Sequence, residues 1–168
     1  MTTKAEFNGE EWDKVAEGPA LAGLIVIASQ RGGTIRETMA MAKVYAEAKQ
    51  SHGSGDLLGD IVGSAPHLDP KQFSSKEDLR TSGLAKITEA VGIVEAKATP
   101  EELADYRSFA MTIAQHVAER DKSGGFLGIG GERVTGNEES ALNDIASALG
   151  TERETSGPSD PAAPDAAE

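Results

Sequence analysis

The sequence contains no cysteine, which excludes disulfides, cysteine-ligated zinc, iron–sulfur clusters and thiol nucleophiles. Aromatic residues make up only 4% of 168 positions, too few to lay out a stacking platform for bases or sugars. Basic residues are outnumbered, 16 Lys+Arg against 28 Asp+Glu, for a formal net charge of −12. A chain of that charge is repelled by phosphate backbones and anionic lipid, so nucleic acid is not an expected partner. Long apolar runs are missing too. The longest uncharged stretch, Gly18 to Gln30, has 13 residues and contains Pro19 and Gly23, short of the roughly 20 apolar residues that span a bilayer. The opening residues, Met1-Thr2-Thr3-Lys4-Ala5-Glu6, lack the basic-then-apolar layout of a signal peptide. No membrane insertion is expected, and the expected location is cytoplasmic.

Catalytic patterns are absent in the same way. His52, His67 and His116 are scattered, and no Glu-x-x-His, His-Glu-x-x-His or Gly-x-Ser-x-Gly occurs, which removes the di-iron bundle, the zinc-protease helix and the hydrolase elbow. Glu10-Glu11 and Glu101-Glu102 read as first-turn acids favoured by a helix dipole, not as an acid/base pair. The sequence predicts a protein that is not an enzyme.

What is present is a succession of helix signals. Asn8 and Glu11 have capping-box spacing, with Phe7 and Trp12 placed for a hydrophobic staple. That helix is expected to stop near Gly18-Pro19. Pro19 then suits the first turn of a second, apolar helix over Ala20–Ala28, broken at Arg31-Gly32-Gly33. Thr34 with Glu37 opens a helix to about Gln50 with Ile35, Met39, Ala42 and Ala46 on one stripe. A short helix is expected over Asp56–Val62. Ser74 or Ser75 caps a helix from Lys76 to Lys97, buried along Leu84, Ile87, Val91 and Val94. Thr99-Pro100-Glu101-Glu102 is a strong start signal for a helix carrying Leu103, Tyr106, Ala110, Ile113 and Val117 and ending near Asp121. Thr135 and Glu138 cap a last helix with Leu142, Ile145 and Leu149, closed by Gly150. The expected fold is all-α, a compact bundle of six to seven helices with pseudo-repeated helical hairpins, formed by residues 1–150. From Thr151 to Glu168 the chain turns to Pro, Ala, Ser and acids with no large apolar residue, the composition of a disordered tail.

The stretch Ser123 to Val134 holds five glycines between Gly124 and Gly131. No strand precedes it and no Gly-Lys-Ser/Thr follows, so it is not a phosphate loop. Three readings stay open. Phe126, Leu127 and Ile129 fold back over the core; or they form an exposed contact for a protein partner or for self-association; or Asp121 and Ser123, with Glu132 or Glu138, offer oxygen ligands to a divalent cation such as calcium. No cofactor beyond such a cation is indicated.

Two units share the order helix, glycine turn, capping box, helix: one through Thr34-x-x-Glu37, the other through Gly130-Gly131 and Thr135-x-x-Glu138. The second, Ala118-Glu-Arg-Asp121-Lys-Ser-Gly124-Gly125 followed by Val134-Thr135-Gly-Asn-Glu138, resembles the repeated unit of TerB-like domains from tellurite-resistance and stress systems, over residues 15–50 and 100–150. The resemblance implies an acidic all-helical domain of two halves, divalent-metal binding and a role in stress-response complexes. Arg31-Gly32 stands where that unit has an acid, and Gly125–Gly131 is an insertion. The implied metal role is therefore confined to Asp121, Glu132, Glu138 and Glu139.

The tail carries a net −4 of the −12, leaving −8 on residues 1–150. A chain ending at Thr151 is expected to melt at the same temperature as the full chain by circular dichroism. A lower melting point would show that the tail packs on the domain.

Overall fold

Asn8 opens the first helix as its spacing predicts. Its side chain accepts from the Glu11 N–H at 2.9 Å, and the Glu11 carboxylate accepts from the Asn8 N–H at 2.9 Å. Phe7 and Trp12 close the staple with ring centroids 5.7 Å apart. The computed structural model describes residues 1–30, 35–52, 55–64, 68, 72–122 and 136–151, without the side chains of 35–38, 40 and 120–122. Among them are six α-helices and no strand: α1 (Gly9–Ser29), α2 (Ile35–Ser51), α3 (Leu57–Gly63), α4 (Lys76–Lys97), α5 (Pro100–Lys122) and α6 (Gly136–Leu149). A single 3-10 turn, Lys4–Glu6, precedes them. The all-α expectation holds.

Helix α1 is the centre. It packs most extensively on α4 and α5 and also touches α2, α3 and α6. Val15, Leu21, Ala22, Ile25 and Val26 lie buried along it. Facing them are Ile87 and Val94 of α4, Tyr106, Ile113 and Val117 of α5, and Ile145 and Leu149 of α6, each fully or almost fully out of solvent. Each such aliphatic side chain contributes roughly 1.5–3 kcal/mol of burial, so this one cluster dominates the stability.

The break expected at Gly18-Pro19 does not occur, and α1 runs through it. Proline removes the N–H that would bond the carbonyl four residues back and crowds that carbonyl; here it belongs to Val15. The Tyr106 hydroxyl of α5 donates to the Val15 carbonyl at 2.9 Å, supplying the missing partner. Gly18 makes this possible, because a Cβ at that position would run into the Tyr106 hydroxyl and crowd Ala90. The Gly-Pro pair is thus a docking point for α5 within one helix.

The stripe expected on α2 is also corrected. Met39 is 68% exposed, and Ala42 and Ala46 face solvent. The inward face is Met41, Val44, Tyr45 and Ala48, with Tyr45 edge-on to Phe109 of α5 at 5.3 Å. Both sets recur at helical spacing; the larger side chains decided which turned inward. At the other end of the chain, Gly150 takes φ +67. Its N–H donates to the Ser147 carbonyl at 3.0 Å and that of Thr151 to Ala146 at 2.9 Å, the paired bonds that close a helix on a left-handed residue.

Tyr106→Phe is expected to lower stability by about 1–3 kcal/mol by leaving a buried carbonyl without a donor. Gly18→Ala should cost more, and the two together less than their sum, since the added methyl meets the hydroxyl that the first change removes. Urea unfolding of the three variants measures this.

Candidate functional site

Helices α1, α4 and α6 converge at one end of the bundle. Gln30 caps the C-terminus of α1, while α4 and α6 present their first turns. Between them lies a cavity of about 340 Å³, walled by Ile25, Ala28 and Ser29 of α1, Lys76, Glu77 and Arg80 of α4, and Asn137 of α6. Arg80 joins two of its walls: its Nε donates to Asp144 of α6 at 2.8 Å and its terminal nitrogen to Ser140 at 2.6 Å. The Lys76 ammonium reaches the Gln30 backbone carbonyl at 3.4 Å.

Gln30 is 4% exposed, yet neither its carboxamide nitrogen nor its carboxamide oxygen has a hydrogen-bond partner. A buried polar group left unmatched costs about 1–3 kcal/mol, and such a group in a native fold calls for a reason. Tyr45 Oη and Arg107 Nε are also buried without a partner, but neither lines this cavity. Burial pushes the Tyr45 phenol well above its ordinary value.

A second, smaller cavity of about 150 Å³ lies at the opposite end, lined by Met1, His52, Asp56, Leu57, Leu58, Glu102 and Asp105. Two of its carboxylates, Asp56 and Glu102, hold structure together. Asp56 caps α3 through the Gly59 N–H, and His52 Nδ1 stands 3.7 Å from it. Glu102 accepts from the Thr99 N–H at 3.0 Å, from the Thr2 N–H at 2.6 Å and from the Thr2 hydroxyl at 2.8 Å. Burial alone would raise the Glu102 carboxyl. The hydrogen bonds from Thr99 and Thr2 outweigh it and hold the group down at about 2.

The residues expected from the sequence to bind a cation are not brought together by the described structure. Asp121 lies in the last turn of α5, with its side chain outside the described residues; Ser123 and Glu132 lie outside them entirely, as do Phe126, Leu127 and Ile129. Glu138 is described. It is 2% exposed in the first turn of α6, next to the cavity-lining Asn137. Glu139 beside it is exposed. Among the described residues, no group of three His, Asp or Glu side chains is placed to hold a metal ion. His116 and Glu119 are both exposed on α5. Among the described residues no helix is long and apolar enough to cross a membrane.

Sequence reasoning missed Gln30, Lys76 and Arg80. A signal for the first existed: Gln30 lies three and four residues beyond the buried Ile27 and Val26, so helical periodicity puts this polar side chain on the core-facing stripe. No family model, curated protein or solved structure matches the chain.

The depressed Glu102 carboxyl fixes the sign of an acid effect. A carboxylate held below its ordinary value of 4.5 adds stability that is complete above that pH and disappears as pH falls toward about 2. Thermal melts between pH 6 and pH 2 are expected to show a steeper fall for the native chain than for Glu102→Gln, and parallel curves would contradict the assignment.

Proposed function

We propose that the chain is a non-catalytic interaction domain of TerB-like character, which binds its partner at the cavity between α1, α4 and α6. The observation that carries this is Gln30, a residue lining the cavity, whose carboxamide is closed off from water with neither polar atom bonded to a partner among the described residues. An unmatched amide weakens the free chain, and a turn of the side chain toward a ligand in the cavity recovers that loss. The carboxylates of the other end support a non-catalytic reading, since Asp56 and Glu102 are engaged as helix caps.

The TerB-like resemblance adds a divalent cation at Asp121, Glu132, Glu138 and Glu139, and the loop itself offers Ser123 beside them. Glu138 stands in the first turn of α6, next in sequence to the cavity-lining Asn137. Calcium titrated into the full chain by calorimetry is expected to give heat that Glu138→Gln removes. Absence of heat at millimolar calcium takes the cation out of the reading and leaves the cavity in it.

The cavity itself is tested by thermal shift against a panel of amino acids, short peptides and nucleosides. A ligand at a hundred times its dissociation constant stabilises by about 2.7 kcal/mol, several degrees for a chain of this size. Shifts present in the native chain and lost in Gln30→Leu are expected. A panel whose every shift survives that substitution overturns the reading.

A further inference from the structure

We propose that α2 opens as a unit away from α1 and α5, uncovering Phe109 and the surface at Gly23, while α1, α4, α5 and α6 stay assembled. Those four helices are tied to one another by polar bonds as well as by apolar packing. The Tyr106 hydroxyl joins α5 to the Val15 carbonyl of α1. Lys14 of α1 reaches Glu89 of α4 at 2.7 Å, and Arg80 of α4 reaches Asp144 of α6. Among the described side chains, α2 makes no hydrogen bond or ion pair to any of the four. Its polar contacts stay within the helix: Lys43 lies 3.4 Å from Glu47, and the Ser51 hydroxyl donates to the Glu47 carbonyl at 3.1 Å. The neighbouring α3 is fastened independently, its Asp60 accepting from the Lys4 N–H at 2.9 Å.

Apolar packing is thin in the same place. Among its described side chains, α2 gives the buried core Val44 alone. Met41, Tyr45 and Ala48 pack against that core while keeping part of their surface in solvent. Met41 rests on Gly23 of α1, where a Cβ would run into its sulfur. The Tyr45 ring meets Phe109 edge-on at 5.3 Å, but its hydroxyl is closed off from water without a hydrogen-bond partner. A hydroxyl held in that way counts against the seated position of α2 and is hydrated once the helix lifts. The outer face loses nothing by the movement, because Met39, Ala42 and Ala46 are already exposed. Few buried apolar contacts and weak ties to neighbours mark a segment that opens at a lower free energy than the whole domain unfolds.

The test is amide hydrogen exchange of the full chain, labelled with nitrogen-15 and followed by NMR at several urea concentrations below the unfolding transition. The amides of residues 43–50 are expected to exchange through one shared opening. Their protection should fall about tenfold or more below that of the slowest amides of α1 and α5, with a smaller dependence on urea, because less surface is exposed. Tyr45→Phe keeps the ring and removes the hydroxyl, and should slow this opening about tenfold. Ile87 lies on α4, which packs on α1, α5 and α6. Ile87→Val should therefore speed the slowest amides of α1 about fivefold and leave those of α2 unchanged. If the α2 amides share the protection and urea dependence of α1, or quicken with it in Ile87→Val, α2 leaves only when the domain unfolds and the inference is overturned. Protection that varies residue by residue along α2, the pattern of fraying, overturns it too. So does an α2 opening that Tyr45→Phe leaves unchanged or speeds, since the hydroxyl then does not count against the seated helix.

Discussion

One hydrogen bond, from the Tyr106 hydroxyl to the Val15 carbonyl, decides the geometry of this molecule. It gives the Val15 carbonyl, which Pro19 leaves without an N–H, a donor inside α1, a single 21-residue helix, about 30 Å long at 1.5 Å per residue. The bond also sets the spacing and rotation of α5 against α1, because the hydroxyl occupies the space that Gly18 leaves open. Every other described helix touches α1, so the continuity of that helix passes into the arrangement of the rest. It carries the Phe7–Trp12 staple at one end and Gln30 at the other.

The two ends differ in how their polar groups are handled. At the end holding Phe7 and Trp12, several charged groups have work within the fold. Lys97 bonds to the Glu6 carbonyl at 3.0 Å and to Glu11 at 2.6 Å while lying over the Phe7 ring. Lys4 covers Trp12 and donates its N–H to Asp60, and Thr2 is fastened to Glu102 through both its N–H and its hydroxyl. At the Gln30 end, among the described residues, a buried amide stands unmatched and a lysine without an ion pair lines the cavity. A polar network completed inside the protein rigidifies; one left incomplete at a cavity is chemistry held ready for something outside.

The helices were legible where their signals are local. Asn8 with Glu11, Ser75, and Thr99 with Glu102 are caps that act within four residues, and each opens a helix where the sequence places it. The Gly18-Pro19 break was misread because its remedy comes from a tyrosine 91 residues away, which no local rule contains. The α2 stripe was misread because alanine counts as apolar on either face, and the volume of Val44 and Tyr45 settled the choice only in three dimensions. Of the candidate site, only the neighbourhood of Glu138 was anticipated. Gln30, Lys76 and Arg80 are ordinary residues one by one, and they acquire meaning only when three helix ends meet. Ser123, Glu132 and the Phe126–Ile129 contact fall outside the described residues, so the cation set and that contact stay with the sequence argument.

Arg80 has a double position, as a wall of the cavity and as the clasp that fastens α6 to α4. Asn137, on the facing wall, belongs to α6. The cavity therefore exists only in the chain whose last helix is seated, and occupancy and seating are linked equilibria. Such linkage is reciprocal: an occupant that touches both walls holds α6 in place, and anything that loosens α6 expels the occupant. Binding at this end of the bundle is thereby reported along the whole of α6, as far as the Gly150 turn that closes it.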